Sequence, residues 1–203
     1  MKILELEQGS QEWLDVRKGI LTASNFSNVI TSKGERSKRL NDYAFDLAAS
    51  SLLTTAEATF TSPAMERGNE LEPYARQRYC EDSFASVEEV GIMLSDCGNY
   101  GYSPDGLVDD DGLIEIKCPM AKNHAKYLSQ KRCPVEYYAQ VQGGLYVSGR
   151  KWCDFVSYHP DFEEDHILFV HRIERDEEFI SNLKSFIDET ISLRDNIIKK
   201  IKS

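Results

Sequence analysis

The chain has 203 residues, 41% of them hydrophobic and 29% charged, which is enough apolar material for one core and too much for a disordered chain. No apolar run reaches membrane-spanning length and the N-terminus carries no signal-peptide pattern, so a single cytoplasmic domain over 1–203 with no membrane partner is expected. The net charge of −10 excludes a uniformly basic protein, but the charge is unevenly spread. Lys117 to Cys153 holds seven basic residues and one acid, Glu57 to Glu115 fourteen acids and three arginines, and Asp154 to Ser192 eleven acids and three basic residues. A basic stretch between two acidic ones is a local field, and local fields govern contact with phosphates. The five cysteines (Cys80, Cys97, Cys118, Cys133, Cys153) are scattered and lack zinc or iron–sulfur spacing, so reduced thiols are expected.

In chain order, Ser10 caps a short helix carrying Trp13, Leu14 and Arg17, ended by Gly19. Thr22-Ala23-Ser24 starts a second helix with Phe26, Val29 and Ile30 on one side. The polar, partly basic loop from Thr31 to Lys38 is a candidate for mobility or for nucleic-acid contact. A helix follows from about Leu40 to Leu53. Ser62 and Pro63 open another that runs to about Cys80. Val87 to Leu94 and Tyr100 to Val108 read as strands, the second ending in a turn at Asp109-Asp110-Asp111-Gly112. Leu113 to Lys117 alternates apolar and charged residues as a half-buried strand does. A short helix spans about Ala121 to Gln130, a longer one runs from Val135 to Val147, and strands lie at Trp152 to Tyr158 and Ile167 to Ile173. Asp176 to Lys202 is one long helix with apolar residues at Phe179, Leu183, Phe186, Ile187, Ile191 and Ile197. This order predicts an α/β fold with a mixed central sheet flanked by helices.

The chemistry concentrates at Pro104-Asp105 and Glu115-Ile116-Lys117. Residues two apart on a strand share a face, so Glu115 and Lys117 point one way and Ile116 points into the core. A turn between the strands brings Asp105 towards Glu115. Paired carboxylates repel each other unless a cation neutralises them. Mg²⁺ suits hard oxygen ligands and keeps several waters. A lysine beside it can hold or help deprotonate an attacking water. The arrangement is that of a metal-dependent nuclease, although two acids and a lysine on a hairpin are also common on solvated surfaces.

Further motifs join this one. Trp13, Arg17, Gly19 and Thr22-Ala23-Ser24 form W-x3-R-x-G-x2-T-A-S. Gly68, Glu70 and Glu72 precede Ser103-Pro104-Asp105-Gly106, which is followed by Glu115-Ile116-Lys117-Cys118-Pro119 and then by Tyr137-Tyr138-Ala139-Gln140-Val141-Gln142. In this order they resemble the lambda-type phage alkaline exonucleases, the YqaJ-like viral recombinases, within the restriction-endonuclease-like PD-(D/E)xK nucleases. The resemblance implies a restriction-endonuclease-like core. It implies a 5′-to-3′ exonuclease that uses Mg²⁺ (with Mn²⁺ as a substitute) on double-stranded DNA ends and leaves a 3′ overhang. It also implies a ring-shaped homotrimer, a single-strand annealing protein as partner, and a phage or prophage origin in a bacterial cell.

Residue by residue, Asp105 and Glu115 match metal-binding carboxylates, and the Ile116 carbonyl a further ligand. Glu72 matches an upstream acid near the metals, with Glu70 as a more solvated alternative. Lys117 matches the lysine near the attacking water. Arg17, Ser24, Ser103 and Gln140 match a pocket for a 5′-phosphate, which an arginine fork and a helix N-terminus suit. Tyr137 and Gln140, three apart on one helix, share a face and are read with Lys117 and Glu72 as catalytic residues. Gln142, with Tyr146, is held in reserve for Gln140. Trp13 is read as core packing that positions Arg17, and Asp96 as a weak match to an outer acid. His124, His159, His166 and His171 show no metal spacing. A PD-(D/E)xK endonuclease, a Cas4-like nuclease (which would need a four-cysteine cluster) and a non-catalytic DNA-end-binding module are the alternatives.

Overall fold

The computed structural model describes residues 1–56 and 62–203; Glu57, counted above in the acidic stretch, lies outside them. The strands form two sheets instead of the single sheet expected. Strands β1 (Lys2–Leu4), β4 (Ile92–Leu94), β5 (Tyr100–Tyr102) and β2 (Leu21–Thr22) make the smaller sheet, in the order β1-β4-β5-β2. Strands β3 (Val87–Glu88), β6 (Gly106–Val108), β7 (Gly112–Lys117), β8 (Trp152–Tyr158) and β9 (Leu168–Glu174) make the larger one, in that order. The two stretches read as continuous strands are each broken and shared between the sheets. Val87 to Leu94 feeds β3 and β4, and Tyr100 to Val108 feeds β5 and β6. The second break falls at Ser103-Pro104-Asp105, where proline lacks the N–H that a central strand needs.

Within the larger sheet β7 and β8 are parallel, with Glu115 opposite Phe155 and Lys117 opposite Ser157, while the other neighbours are antiparallel. A parallel pair needs a crossover, here made by helices α4 (Ala121–Gln130) and α5 (Val135–Ser148). Strand β7 is buried on both faces, not half-buried as its alternation suggested. Leu113 belongs to the main core with Phe155, Leu145 and Val141, whereas Ile114 and Ile116 join Ala75, Tyr79 and Val156 beneath helix α3 (Pro63–Ser83). Glu115 is therefore an acid in a row whose neighbours build the main core.

Helix α3 starts as its sequence indicates, with Ser62 accepting from the Met65 N–H and Pro63 in the first turn. It runs through Pro73 and ends at Phe84, which takes a left-handed conformation at φ 57°. Helix α1 (Gln11–Val16) is capped by Ser10, and the expected second helix is a 3-10 segment over Ala23–Asn28 that stops before Val29 and Ile30. The polar loop after it closes on itself through an Ile30–Arg36 bridge, and Arg36 is committed to Glu189 and Asn41. Helix α2 (Leu40–Leu52) packs against the long C-terminal helix α6 (Glu177–Lys202). Among the described residues no helix is long and apolar enough to cross a membrane.

Candidate active site

Glu115 sits at the centre of a polar network in an otherwise apolar layer. Its side chain is fully buried. One oxygen accepts from Lys117 Nζ at 2.6 Å and from Gln140 Nε2 at 2.5 Å; the other accepts from the Tyr102 hydroxyl at 3.1 Å. Helix α5 brings Gln140 this close because Gly144, one turn on, lets the helix lie against Tyr102. A methyl group added at Gly144 would lie 2.8 Å from the Tyr102 ring. Asp105 approaches the same strand, its Oδ2 accepting from the Ile116 N–H at 2.6 Å. Glu72 reaches in from α3 while its Oε1 accepts from Arg76 Nη2 at 2.5 Å.

The electrostatics follow from this crowding. Burial pushes the Glu115 carboxyl up to about 7; the Lys117 charge opposes the rise and Asp105 adds to it. Burial and then the Asp105 charge push Glu72 up to about 7, against the pull of Arg76 and Lys117. Burial alone would lower the Lys117 pKa, but Glu115 and Asp105 outweigh it and raise it. Lys117 is thus a firmly held ammonium. Tyr137 stacks on Phe155, with ring centroids 5.4 Å apart, and presents its face to Lys117 Nζ at 5.4 Å.

This donor set suits a hard divalent cation. Glu72, Asp105 and Glu115 are oxygen donors whose mutual repulsion such an ion relieves, and the Ile116 peptide lies against Asp105. Among the described residues no three acid, histidine or cysteine side chains stand together so as to hold a metal ion by themselves. Mg²⁺ does not require such a group, since it keeps several waters and takes one or two carboxylates.

A second pocket, of about 150 Å³, lies beside this cluster, and all four residues expected to bind phosphate line it: Arg17, Ser24, Ser103 and Gln140. Arg17 lies over the Trp13 ring at 3.8 Å, and both donate to Ser103 Oγ, Arg17 Nη1 at 3.4 Å and Trp13 Nε1 at 3.0 Å. Trp13 is a half-buried wall of the pocket, not a core residue. Burial lowers the Arg17 pKa to about 10, partly offset by Tyr43, and among the described residues no carboxylate pairs with Arg17. Gln8 and Trp13 also line a larger cleft of about 880 Å³ that contains Glu72, Arg76 and Asp105. The two spaces therefore share walls. A groove of about 930 Å³ between α4 and β9 holds none of the motif residues.

The remaining sequence readings separate cleanly. Gln142, the reserve for Gln140, is buried elsewhere, donating to the Glu174 carbonyl and accepting from the Asp176 N–H. Tyr146 stacks on Tyr100. Glu70 is exposed, as expected of a solvated residue. Asp96 is also exposed and pairs with the N-terminus, so it does not reach the site. His124 is buried against Ser157 and the His166 carbonyl. Tyr102, Arg76 and Gln8 were not singled out from the sequence. The signal for Arg76 was its position four residues after Glu72 on one helix, and that for Tyr102 its place one residue before Ser103.

A mixed α/β fold, with a strand carrying a carboxylate and a lysine beside a pocket built around one arginine, defines the PD-(D/E)xK alkaline exonuclease class of architecture. The chain belongs to the YqaJ-like viral recombinase domain family, whose pattern matches residues 12–151. It is similar to the alkaline exonuclease LHK-Exo of Laribacter hongkongensis, 36% identical with a TM-score of 0.86 over 95% of this chain and 96% of that one. LHK-Exo is also known in complex with dAMP. A phage-related exonuclease of Haemophilus somnus, 16% identical with a TM-score of 0.72 over 90% of this chain and 96% of that one, shares the fold. An uncharacterised protein of Acanthamoeba polyphaga mimivirus is 29% identical over 169 residues; the match covers 76% of this chain but 30% of that protein's length.

Proposed function

We propose that this chain is a DNA exonuclease. It hydrolyses one strand of a duplex in the 5′-to-3′ direction from 5′-phosphorylated ends, requires Mg²⁺, and leaves a 3′ overhang for recombination. The observation that carries this reading is the shared wall of the two spaces. Trp13 and Gln8 border both the arginine pocket and the cleft that contains Glu72 and Asp105. A terminal phosphate held by Arg17 would leave the next phosphodiester beside the carboxylates.

Each residue then has a role that its surroundings support. Asp105, Glu115, Glu72 and the Ile116 carbonyl would hold the cation, which when bound supplies Lewis-acid charge to the attacking and leaving oxygens. Lys117 orients the attacking water and offsets developing negative charge. Gln140 fixes one Glu115 oxygen and faces the phosphate pocket, and Tyr137 keeps the ammonium in place. Arg17, Ser24 and Ser103 hold the 5′-phosphate. Ser103 Oγ already accepts two hydrogen bonds, which leaves its own hydrogen free to donate.

Lys122, Lys126, Lys131 and Arg132 on and just after α4 are exposed and form no ion pair among the described residues. They support a duplex track beside the site. A homotrimeric ring around the duplex, a single-strand annealing protein as partner and a cytoplasmic location in a phage-bearing bacterial cell complete the reading. The test is digestion of a duplex labelled at either 3′ end, with and without a 5′-phosphate, in Mg²⁺ or EDTA. Loss of linear duplex from phosphorylated ends, with closed circles spared, is expected. Cleavage of closed circles, or digestion unaffected by EDTA, would overturn the reading. Light scattering at micromolar concentration is expected to give about three times the monomer mass; a stable monomer removes the ring.

A further inference from the structure

Arg76 is the hub of the large cleft, and its side chain is only 12% exposed. Each guanidinium nitrogen has a different partner. Nε donates to the Asp105 carbonyl at 3.0 Å, Nη2 to Glu72 Oε1 at 2.5 Å, and Nη1 pairs with Glu89 Oε2 at 2.9 Å. One planar cation thus ties helix α3 to the Ser103–Asp105 break between the sheets and to the link between β3 and β4. A lysine has a point charge and no fixed fork, so it cannot replace all three contacts in this geometry.

We infer that Arg76 is a positioning residue that governs the divalent-cation site: it holds Glu72 and the Asp105 peptide in register while occupying a Glu72 oxygen that a cation would otherwise take. This deepens the nuclease reading and rests on it. The two effects of Arg76 oppose each other. Its charge weakens the pull of the acid cluster on a second cation, and its geometry keeps Glu72 and Asp105 where turnover needs them. Removing Arg76 should therefore tighten metal binding and slow the reaction together. A variant that had merely lost stability would lose both.

The experiment is calorimetric titration of Mg²⁺ into the full chain, wild type, Arg76→Ala, Arg76→Lys and Asp105→Ala, with single-turnover cleavage and thermal melting of each. Arg76→Ala is expected to bind Mg²⁺ about three- to tenfold more tightly, the size of a lost like charge near a partly screened site. It is expected to cleave about a hundredfold more slowly at saturating Mg²⁺, as a displaced catalytic geometry does. Arg76→Lys restores wild-type metal affinity but not the rate, and it covers the case in which the alanine variant does not fold. Weaker or unchanged Mg²⁺ affinity in Arg76→Ala, or a full-speed Arg76→Lys, overturns the inference. If Asp105→Ala leaves Mg²⁺ binding untouched, the cation site itself is wrong and the nuclease reading falls with it.

Discussion

Arg17 and Lys117 each bring a positive charge to the candidate site, and they are held in opposite ways. Lys117 is paired within the protein: Glu115 accepts from it at 2.6 Å and Tyr137 faces it, which leaves two of its three N–H donors for a water. Arg17 lies over an aromatic ring and has one long hydrogen bond, at 3.4 Å to Ser103. A cation matched by a carboxylate adds local order, and its charge is partly offset before any substrate arrives. A cation supported by a ring keeps most of its donors open, at the cost of desolvation, which is why the Arg17 pKa falls to about 10. The arginine pocket is built to receive an anion, and the lysine belongs to a network whose anion is already present.

The largest expected effect tests the paired side. Lys117→Ala should lower single-turnover cleavage by about 10²- to 10⁴-fold while gel-shift binding of duplex ends survives. Wild-type turnover in that variant would remove Lys117 from the chemistry. The open side is tested by Arg17→Ala. It should slow 5′-phosphorylated ends about ten- to a hundredfold and leave 5′-hydroxyl ends nearly unchanged. An equal loss on both would make Arg17 a structural residue.

A smaller contrast separates the two glutamines of α5. Gln140→Ala should lower the rate and leave the melting temperature nearly unchanged. Gln142→Ala should cost about 1–3 kcal/mol of stability, because it leaves the Asp176 N–H and the Glu174 carbonyl without partners, and should spare the rate per folded molecule. The reverse pattern in melting and kinetics would exchange their roles. The smallest effect lies away from both pockets. Burial lowers the His124 pKa below 6.5, the His166 carbonyl opposes this, and His159 adds to it. The unfolded chain then binds more protons than the folded one, so stability falls as pH drops through the unfolded value of about 6.5 towards the folded one. His124→Asn should flatten that part of the melting-temperature profile; an unchanged slope would show that another group titrates there.

Much of this arrangement was legible in the sequence because it rests on short periods. The two-residue period of a strand put Glu115 and Lys117 on one face, and the Ser62-Pro63 pair marked the start of α3. The grouping of Arg17, Ser24, Ser103 and Gln140 came from the resemblance; no local rule links residues so far apart. The division into two sheets was missed because Tyr100 to Val108 reads as one strand, although Pro104 is the residue that breaks it. Trp13 was misplaced because a tryptophan on an amphipathic helix usually packs inward, whereas here its ring is the platform for Arg17. The ties of Arg76 depend on a carbonyl and on loop Glu89, neither of which a sequence pattern encodes.

The break at Ser103-Pro104-Asp105 also fixes a length. Ser103 belongs to the arginine pocket and Asp105 to the carboxylates, and two residues of chain hold their Cα atoms no more than about 7 Å apart. Proline between them removes one torsional freedom. One residue added here would lengthen that reach by up to about 3.6 Å. The spacing between the two halves of the site is therefore written in covalent bonds.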